Sequence, residues 1–260
     1  MAIRINPHRR LTACVATAFL AASTCSALAA DTPKVSDDER ARIESVVHDY
    51  IMAHPEVVLQ SLQSMQERQR AAEADRVKST IASESEALRQ TKGDFVAGNV
   101  HGDVTLVEFF DYNCAYCRKA ASTIQGLLAD DKKLRVVFKE WPIRGSASEG
   151  AARVSMAAQK QPNFLAFHFA LMHAEGQVDE GVALKAAEAA GLDMKTLKKD
   201  MASQEIADHL AATYALAAKI GLGGTPAFVI GDELIPGAIS ESDFRKVIAH
   251  TRETCANASC

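Results

Sequence analysis

The 260-residue chain has no uninterrupted apolar run long enough to cross a bilayer, no excess of positive charge and no internal repeat or low-complexity stretch. The first absence predicts a soluble folded product, since a membrane helix needs roughly eighteen or more consecutive apolar residues. The second argues against nucleic acid as a partner, because Asp and Glu outnumber Lys and Arg by 33 to 29, giving a formal charge of −4. Cysteine is also scarce, at six residues, and it is clustered. A framework of structural disulfides usually spreads its cysteines along the chain, and this pattern does not.

What is present begins with a leader. Arg4, Arg9 and Arg10 form a positive patch, Leu11 to Ala22 is mostly apolar, and Ala27-Leu28-Ala29 supplies small residues for cleavage. These features predict a signal peptide over residues 1–29, with cleavage after Ala29 and Ala30 as the next choice. Lipid attachment at Cys25 is disfavoured, because Ala22-Ser23-Thr24 ahead of it lacks the expected leucine and the small residue next to the cysteine. Removing the leader leaves 26 Lys and Arg against 33 Asp and Glu, a net charge of −7. About 230 residues remain, enough for one large domain or for a domain with an extension. The exported form is expected in the periplasm, where disulfides can form. It keeps Cys114, Cys117, Cys255 and Cys260, as two tight pairs.

Ser36-Asp37-Asp38-Glu39 reads as a capping box, followed by Ile43, Val46, Val47, Tyr50 and Ile51 at helical spacing. His54-Pro55 ends that helix and Pro55 can open the next. From Glu56 to about Gln90 the composition is helical, with an apolar stripe through Val58, Leu62 and Met65 that thins after Ala72 through Val77, Ile81 and Leu88. So narrow a face has little to bury against its own domain. Residues 30–92 are therefore expected to form a helical oligomerisation arm, the alternative being a helical hairpin folded back on the main domain.

The main domain is expected over residues 93–254, with 255–260 as a tail. Strands are predicted at Val104–Phe110 and Leu134–Glu140, flanking a helix and therefore parallel. A helical insertion follows over about residues 146–220. Two short strands, Ala227–Ile230 and Glu233–Ile235, then surround a Gly231-Asp232 turn, and a last helix starts from Ser240 as its cap. The expected fold class is α/β, a small sheet with a helical insertion, preceded by a helical extension.

Cys114-Ala115-Tyr116-Cys117 lies at the junction of the first of these strands and its helix. Unpaired backbone N–H groups and the helix dipole favour an anion there, so the Cys114 thiol should ionise easily. A thiolate at that point can attack a disulfide. Cys117, one turn further in, is placed to attack the resulting mixed disulfide.

The order Glu108-Phe109-Phe110-Asp111-Tyr112-Asn113, Cys114-Ala115-Tyr116-Cys117, Lys139-Glu140-Trp141-Pro142, a helical insertion, and Gly224-Thr225-Pro226-Ala227-Phe228 resembles the thioredoxin superfamily, and within it the DsbA family of exported thiol-disulfide oxidoreductases. The likeness covers about residues 94–251. The preceding helices look like those of the ScsC-type members, which are oligomeric. The resemblance implies a thioredoxin-like fold, a cis-proline at Pro226 facing the cysteines with Thr225 beside it, and a buried acid at Glu108 near the second thiol. A cis bond before proline costs little and leaves backbone groups free for an extended substrate; the alternative is a trans proline ending a loop. A buried Glu108 should have a raised pKa and could relay a proton to Cys117; the alternative is that strand alternation turns it to solvent.

No cofactor is expected. No histidine falls at ligand spacing beside either cysteine pair, and the gap between Cys255 and Cys260 is loose for zinc, so those two are read as a small disulfide or flexible thiols. If a metal were bound, copper would be the candidate, which leaves a copper-binding chaperone as the reading from a different class. Strongly oxidising members of the family carry a histidine between the cysteines, whereas Ala115-Tyr116 supplies no such charge. A disulfide isomerase or reductase is therefore expected, acting on unfolded or wrongly disulfide-bonded exported proteins and kept reduced by a membrane thiol reductase. A dithiol oxidase is the alternative within the same class.

Overall fold

All seven residues from Val104 to Phe110 are buried, and this strand, β2, organises the domain. A strand covered on both faces reads as a continuous apolar run rather than an alternating one. Its side chains divide by parity: Leu106 and Phe110 enter one core, Val107 and Phe109 the other. The computed structural model describes residues 35–89 and 92–254. The expected signal peptide, and Cys255 and Cys260, lie outside the described residues.

The first packing unit ends at Ser61. It holds α1 (Asp37–Ala53), capped by Ser36, whose hydroxyl accepts the Glu39 N–H at 3.3 Å. No residue of α1 is buried. Ile43, Val46, Val47, Tyr50, Ile51 and Met52 are all exposed. Helix α2 runs from Glu56 to Ser83 and α3 from Ser85 to Arg89. The break at Glu84 interrupts the long helix expected to reach about Gln90, which is itself outside the described residues.

The second unit, from Leu62, carries the catalytic architecture. Its sheet adds β1 (Phe95–Gly98), β3 (Leu134–Glu140), β4 (Ala227–Ile230) and β5 (Glu233–Pro236), in the order β1-β3-β2-β4-β5. Strands β2 and β3 are parallel, in register from Val104 opposite Leu134 to Phe110 opposite Glu140. The other pairings are antiparallel. Helix α4 (Ala115–Asp130) connects the parallel pair. The insertion comprises α5 (Ser146–Ala158), α6 (Phe164–Met172), α7 (Glu180–Ala189), α8 (Met194–Met201) and α9 (Gln204–Ile220), and α10 (Glu241–Thr254) closes the described chain.

One face of the sheet packs against α4, α5, α6 and α10 through Phe110, Phe138, Ile124, Phe167, Phe228 and Phe244. Burying each such phenylalanine contributes roughly 2–3 kcal/mol. The opposite face packs Val107, Phe109 and Val137 against Leu216 and Ile220 of α9, and also against Ile81 and Leu88. The latter two correct the expectation that the later part of the extension buries little against the domain. A thin stripe suffices where only two side chains must seal a small core, and both are almost fully buried. By packing, the chain forms two compact units that divide after Ser61.

Candidate active site

Strand β2 delivers its last residues to the carboxyl edge of the sheet, where Asp111, Tyr112 and Asn113 turn the chain into α4. Cys114 is the N-cap of that helix, extended at φ −87° and ψ 115°, and Cys117 lies in the first turn. Both are buried free thiols. Across from them the bond between Thr225 and Pro226 is cis, and the Thr225 carbonyl accepts the Cys114 thiol proton at a sulfur–oxygen distance of 3.1 Å. Glu108 is fully buried on the same face of β2 as Phe110, with Oε1 free of any partner. All five residues singled out in the sequence therefore meet in one place.

Their electrostatics are asymmetric. The Cys114 pKa is lowered to about 5, first by a hydrogen bond from the Cys117 thiol, then by the Thr225 hydroxyl and by the backbone N–H groups of Cys117 and Tyr116; burial opposes them. The Thr225 hydroxyl is buried with no hydrogen-bond partner, so it is available to donate once the sulfur ionises. The Cys117 pKa is pushed far up by burial, by its bond to Cys114 and by the Glu108 charge. Glu108 itself is raised to about 8, mainly by burial and secondarily by the Cys114 charge. One thiol is thus ionised at neutral pH while its neighbour holds its proton beside a carboxyl that titrates near neutrality.

A polar layer that the sequence did not single out fixes this geometry. Asp111 is buried and accepts three bonds, from the Asn113 N–H at 2.7 Å, the Ser148 hydroxyl at 2.7 Å and the Arg144 N–H at 2.9 Å. Asn113 bridges to the insertion, accepting the Val178 N–H at 2.7 Å and donating to the Val178 carbonyl at 2.8 Å. Deeper in, the Tyr112 hydroxyl bonds Ser155 at 2.7 Å and His168 Nδ1 at 2.9 Å. Burial drives His168 down to about 3 and Tyr112 well above its ordinary value, so both remain neutral. Glu140 lies on this face as well, its pKa raised well above the carboxylate range chiefly by burial. The only hint in the sequence was a polar triplet, Asp111-Tyr112-Asn113, ending an apolar strand.

Arg144 is the other residue that sequence reasoning missed. The loop between β3 and α5 carries it, and Gly145 at φ 93° gives the turn a backbone state that other residues resist. Its Nη2 lies 3.9 Å from the Cys114 sulfur. Among the described residues, no group of three or more His, Cys, Asp or Glu side chains is arranged to hold a metal ion, and no helix is long and apolar enough to cross a membrane.

Residues 105–249 match the family of DSBA-like thioredoxin domains, and residues 39–72 match the copper resistance protein ScsC N-terminal domain. A thioredoxin-like oxidoreductase from Silicibacter pomeroyi DSS-3 is 43% identical, with a TM-score of 0.62, covering 65% of this chain and 97% of its own. The thiol-disulfide exchange protein alpha-DsbA2 from Wolbachia pipientis is 26% identical, with a TM-score of 0.65, covering 69% of this chain and 97% of its own. A periplasmic thioredoxin-like protein from Salmonella enterica serovar Typhimurium is 30% identical, with a TM-score of 0.60 and coverage of 64% and 94%. Among curated relatives, the Na(+)/H(+) antiporter NhaA 3 of Salinispora tropica is 28% identical over 139 residues, 53% of this chain but only 21% of the antiporter. The chain thus spans about a fifth of the length of that relative. With its thiol pair at a strand-to-helix junction, its cis-proline and its five-stranded sheet, this chain belongs to the family of DSBA-like thioredoxin domains, and it carries an N-terminal helical region of the ScsC type.

Proposed function

We propose that the protein is a periplasmic protein disulfide isomerase or reductase, working within the thiol-disulfide oxidoreductase chemistry of its family. The observation that carries the reading is the contrast between an acidic Cys114 thiol and a proton-holding Cys117 beside Glu108. The Cys114 thiolate attacks one sulfur of a substrate disulfide, forming a mixed disulfide and releasing the other substrate sulfur as a thiolate. In isomerisation that thiolate attacks a different substrate disulfide, and a substrate sulfur finally expels Cys114, with no net change in oxidation state. In reduction Cys117 gives its proton to Glu108 and attacks the Cys114 sulfur. The substrate thiolate leaves, two electrons pass to the substrate, and Cys114 and Cys117 are joined.

The pairing of Glu108 with Cys114 suits this order of events. The Cys114 charge raises the Glu108 pKa. That charge vanishes in the mixed disulfide, so the carboxyl ionises more readily when Cys117 needs a base. Regeneration of the reduced pair is assigned to a membrane thiol reductase, and the substrates to unfolded or wrongly disulfide-bonded exported proteins. The placement in the periplasm rests on the leader sequence and on the similar periplasmic protein of Salmonella enterica. Measuring the reduction potential and the refolding of a scrambled disulfide substrate tests the reading. The expected results are a potential below about −120 mV, the value of a strongly oxidising member, and recovery of native pairings by catalytic amounts of protein. A potential at or above that value without recovery would make the protein a dithiol oxidase.

We also propose that the chain self-associates through its N-terminal helix. In α1, Val46 is 68% exposed, Tyr50 54% and Ile43 51%, although they recur at helical spacing as a buried face would. An apolar stripe left open to water marks an interaction surface, and a second copy presents the same stripe. Light scattering on the mature protein should give a multiple of the chain mass. Val47→Glu with Tyr50→Glu, or a chain starting at Leu62, which keeps Ile81 and Leu88, should give monomers. A monomeric mature protein would refute self-association.

A further inference from the structure

We propose that Arg144 is a catalytic residue of this site, whose guanidinium lies against the Cys114 sulfur and supplies from the β3–α5 loop the positive charge that Ala115 and Tyr116 lack. The inference rests on the thiol-exchange reading above and adds to it a residue outside the Cys-x-x-Cys segment.

The geometry has three parts. Cys114 has no exposed surface, whereas Arg144 is exposed, and Arg144 Nη2 nonetheless lies 3.9 Å from the Cys114 sulfur. The loop is held by its backbone, through the Arg144 N–H donated to Asp111 Oδ2. The guanidinium is therefore positioned without being consumed in a salt bridge: none of the ion pairs among the described residues involves Arg144. An arginine turned toward a thiol and not toward a carboxylate has a reason to be there only if the sulfur is negative, because a neutral thiol is a weak acceptor.

The groups that bear on Cys114 come from several elements: Glu108 from β2, Cys117 and the Tyr116 N–H from α4, Thr225 from the loop before β4, and Arg144 from the loop after β3. Arg144 is the one cation in that set. The Thr225 hydroxyl and the N–H groups at the start of α4 offer partial charges, and Glu108 offers a negative one when ionised. A full positive charge at this distance favours the thiolate over every form in which the sulfur is covalently bonded. In the mixed disulfide and in the Cys114–Cys117 disulfide the attraction is gone, so Arg144 selectively stabilises the reduced protein. It therefore makes the pair more oxidising than the intervening dipeptide alone would. Since the sulfur is fully covered, an incoming disulfide also requires a side chain to move aside. Arg144, exposed and long, is able to do so.

The test uses the mature protein with Arg144→Met and Arg144→Lys. Two quantities are read: the pH dependence of Cys114 alkylation by iodoacetamide, and the equilibrium with a glutathione redox buffer. Because the guanidinium is partly in water, Arg144→Met is expected to raise the Cys114 pKa by about one unit. The dithiol–disulfide equilibrium should shift about tenfold toward the disulfide, equivalent to about 30 mV for a two-electron couple. Arg144→Lys should recover most of both changes. A merely structural role for the loop would move neither quantity in a charge-dependent way. Unchanged pKa and potential in Arg144→Met, with the wild-type thiol still acidic, would overturn the role of Arg144 and leave the exchange chemistry intact. An ordinary thiol pKa in the wild type would overturn both.

Discussion

Replacing Cys114 with serine is expected to abolish thiol-disulfide exchange, lowering the rate of protein disulfide reduction by at least about ten-thousandfold. The serine hydroxyl is un-ionised at any working pH and forms no stable bond to sulfur. The remaining thiol is a poor substitute, because Cys117 is buried and burial, Cys114 and Glu108 together hold its proton in place. Nucleophilicity requires the thiolate, and the thiolate population of Cys117 is negligible at neutral pH. The companion variant Cys117→Ser should behave differently. It keeps the first step and loses the second, so it should accumulate mixed disulfides with its substrates, visible as bands on non-reducing gels. If Cys114→Ser retained a tenth of the wild-type rate, the nucleophile would have to be assigned elsewhere.

Glu108→Gln carries the second large effect, and it acts in two directions. Removing the base should slow formation of the Cys114–Cys117 disulfide from the mixed disulfide by about a hundredfold or more, the usual reach of a positioned proton acceptor. The first attack, by an already ionised Cys114, should be nearly unaffected. Stopped-flow measurement of the two phases separates these outcomes, and equal slowing of both would remove the relay role. The same substitution should stabilise the fold. In the folded protein Glu108 titrates near 8, against an ordinary value of 4.5. A raised acid pKa means that the contribution of this carboxyl to stability is fully present below pH 4.5 and is lost as the pH climbs to about 8, where it must ionise without a partner. Linkage sets the loss at the upper end on the order of 4 kcal/mol. Glutamine carries no such penalty, so the stability that the variant gains over the wild type, read from denaturant titrations, should be small at pH 5 and grow by pH 8.

The strands around the thiol pair were legible because both β2 and the core of β3 are covered on two faces and spell out their burial as apolar runs. The same logic hid β1, a four-residue edge strand in which only Ala97 is fully buried. Cys114, Cys117 and Thr225-Pro226 could be picked out because their spacing and order resemble a known family. Glu108 was visible as a charge inside an apolar strand. Arg144 gave no signal: one arginine in a loop after Trp141-Pro142 looks like any solvated side chain until the fold brings residues 114 and 144 together. Asp111 gave only the hint of a polar residue ending an apolar strand, since a carboxylate there usually marks a turn and here it accepts bonds from three separate positions. The extension was half legible. The helix α1 and its apolar spacing could be read from the sequence, whereas Ile81 and Leu88 are core residues whose partners lie on strands far along the chain.

The three hydrogen bonds converging on Asp111 have a consequence for how this site can evolve or be engineered. One carboxylate fastens the approach to the nucleophile, the start of α5 and the arginine loop to a common point. Redox poise and loop order are then not independent settings, because loosening that fastening would release the cation and the helix start at once. Tuning of the thiol pair is easiest from the side chain of residue 144, whose removal leaves the fastening whole.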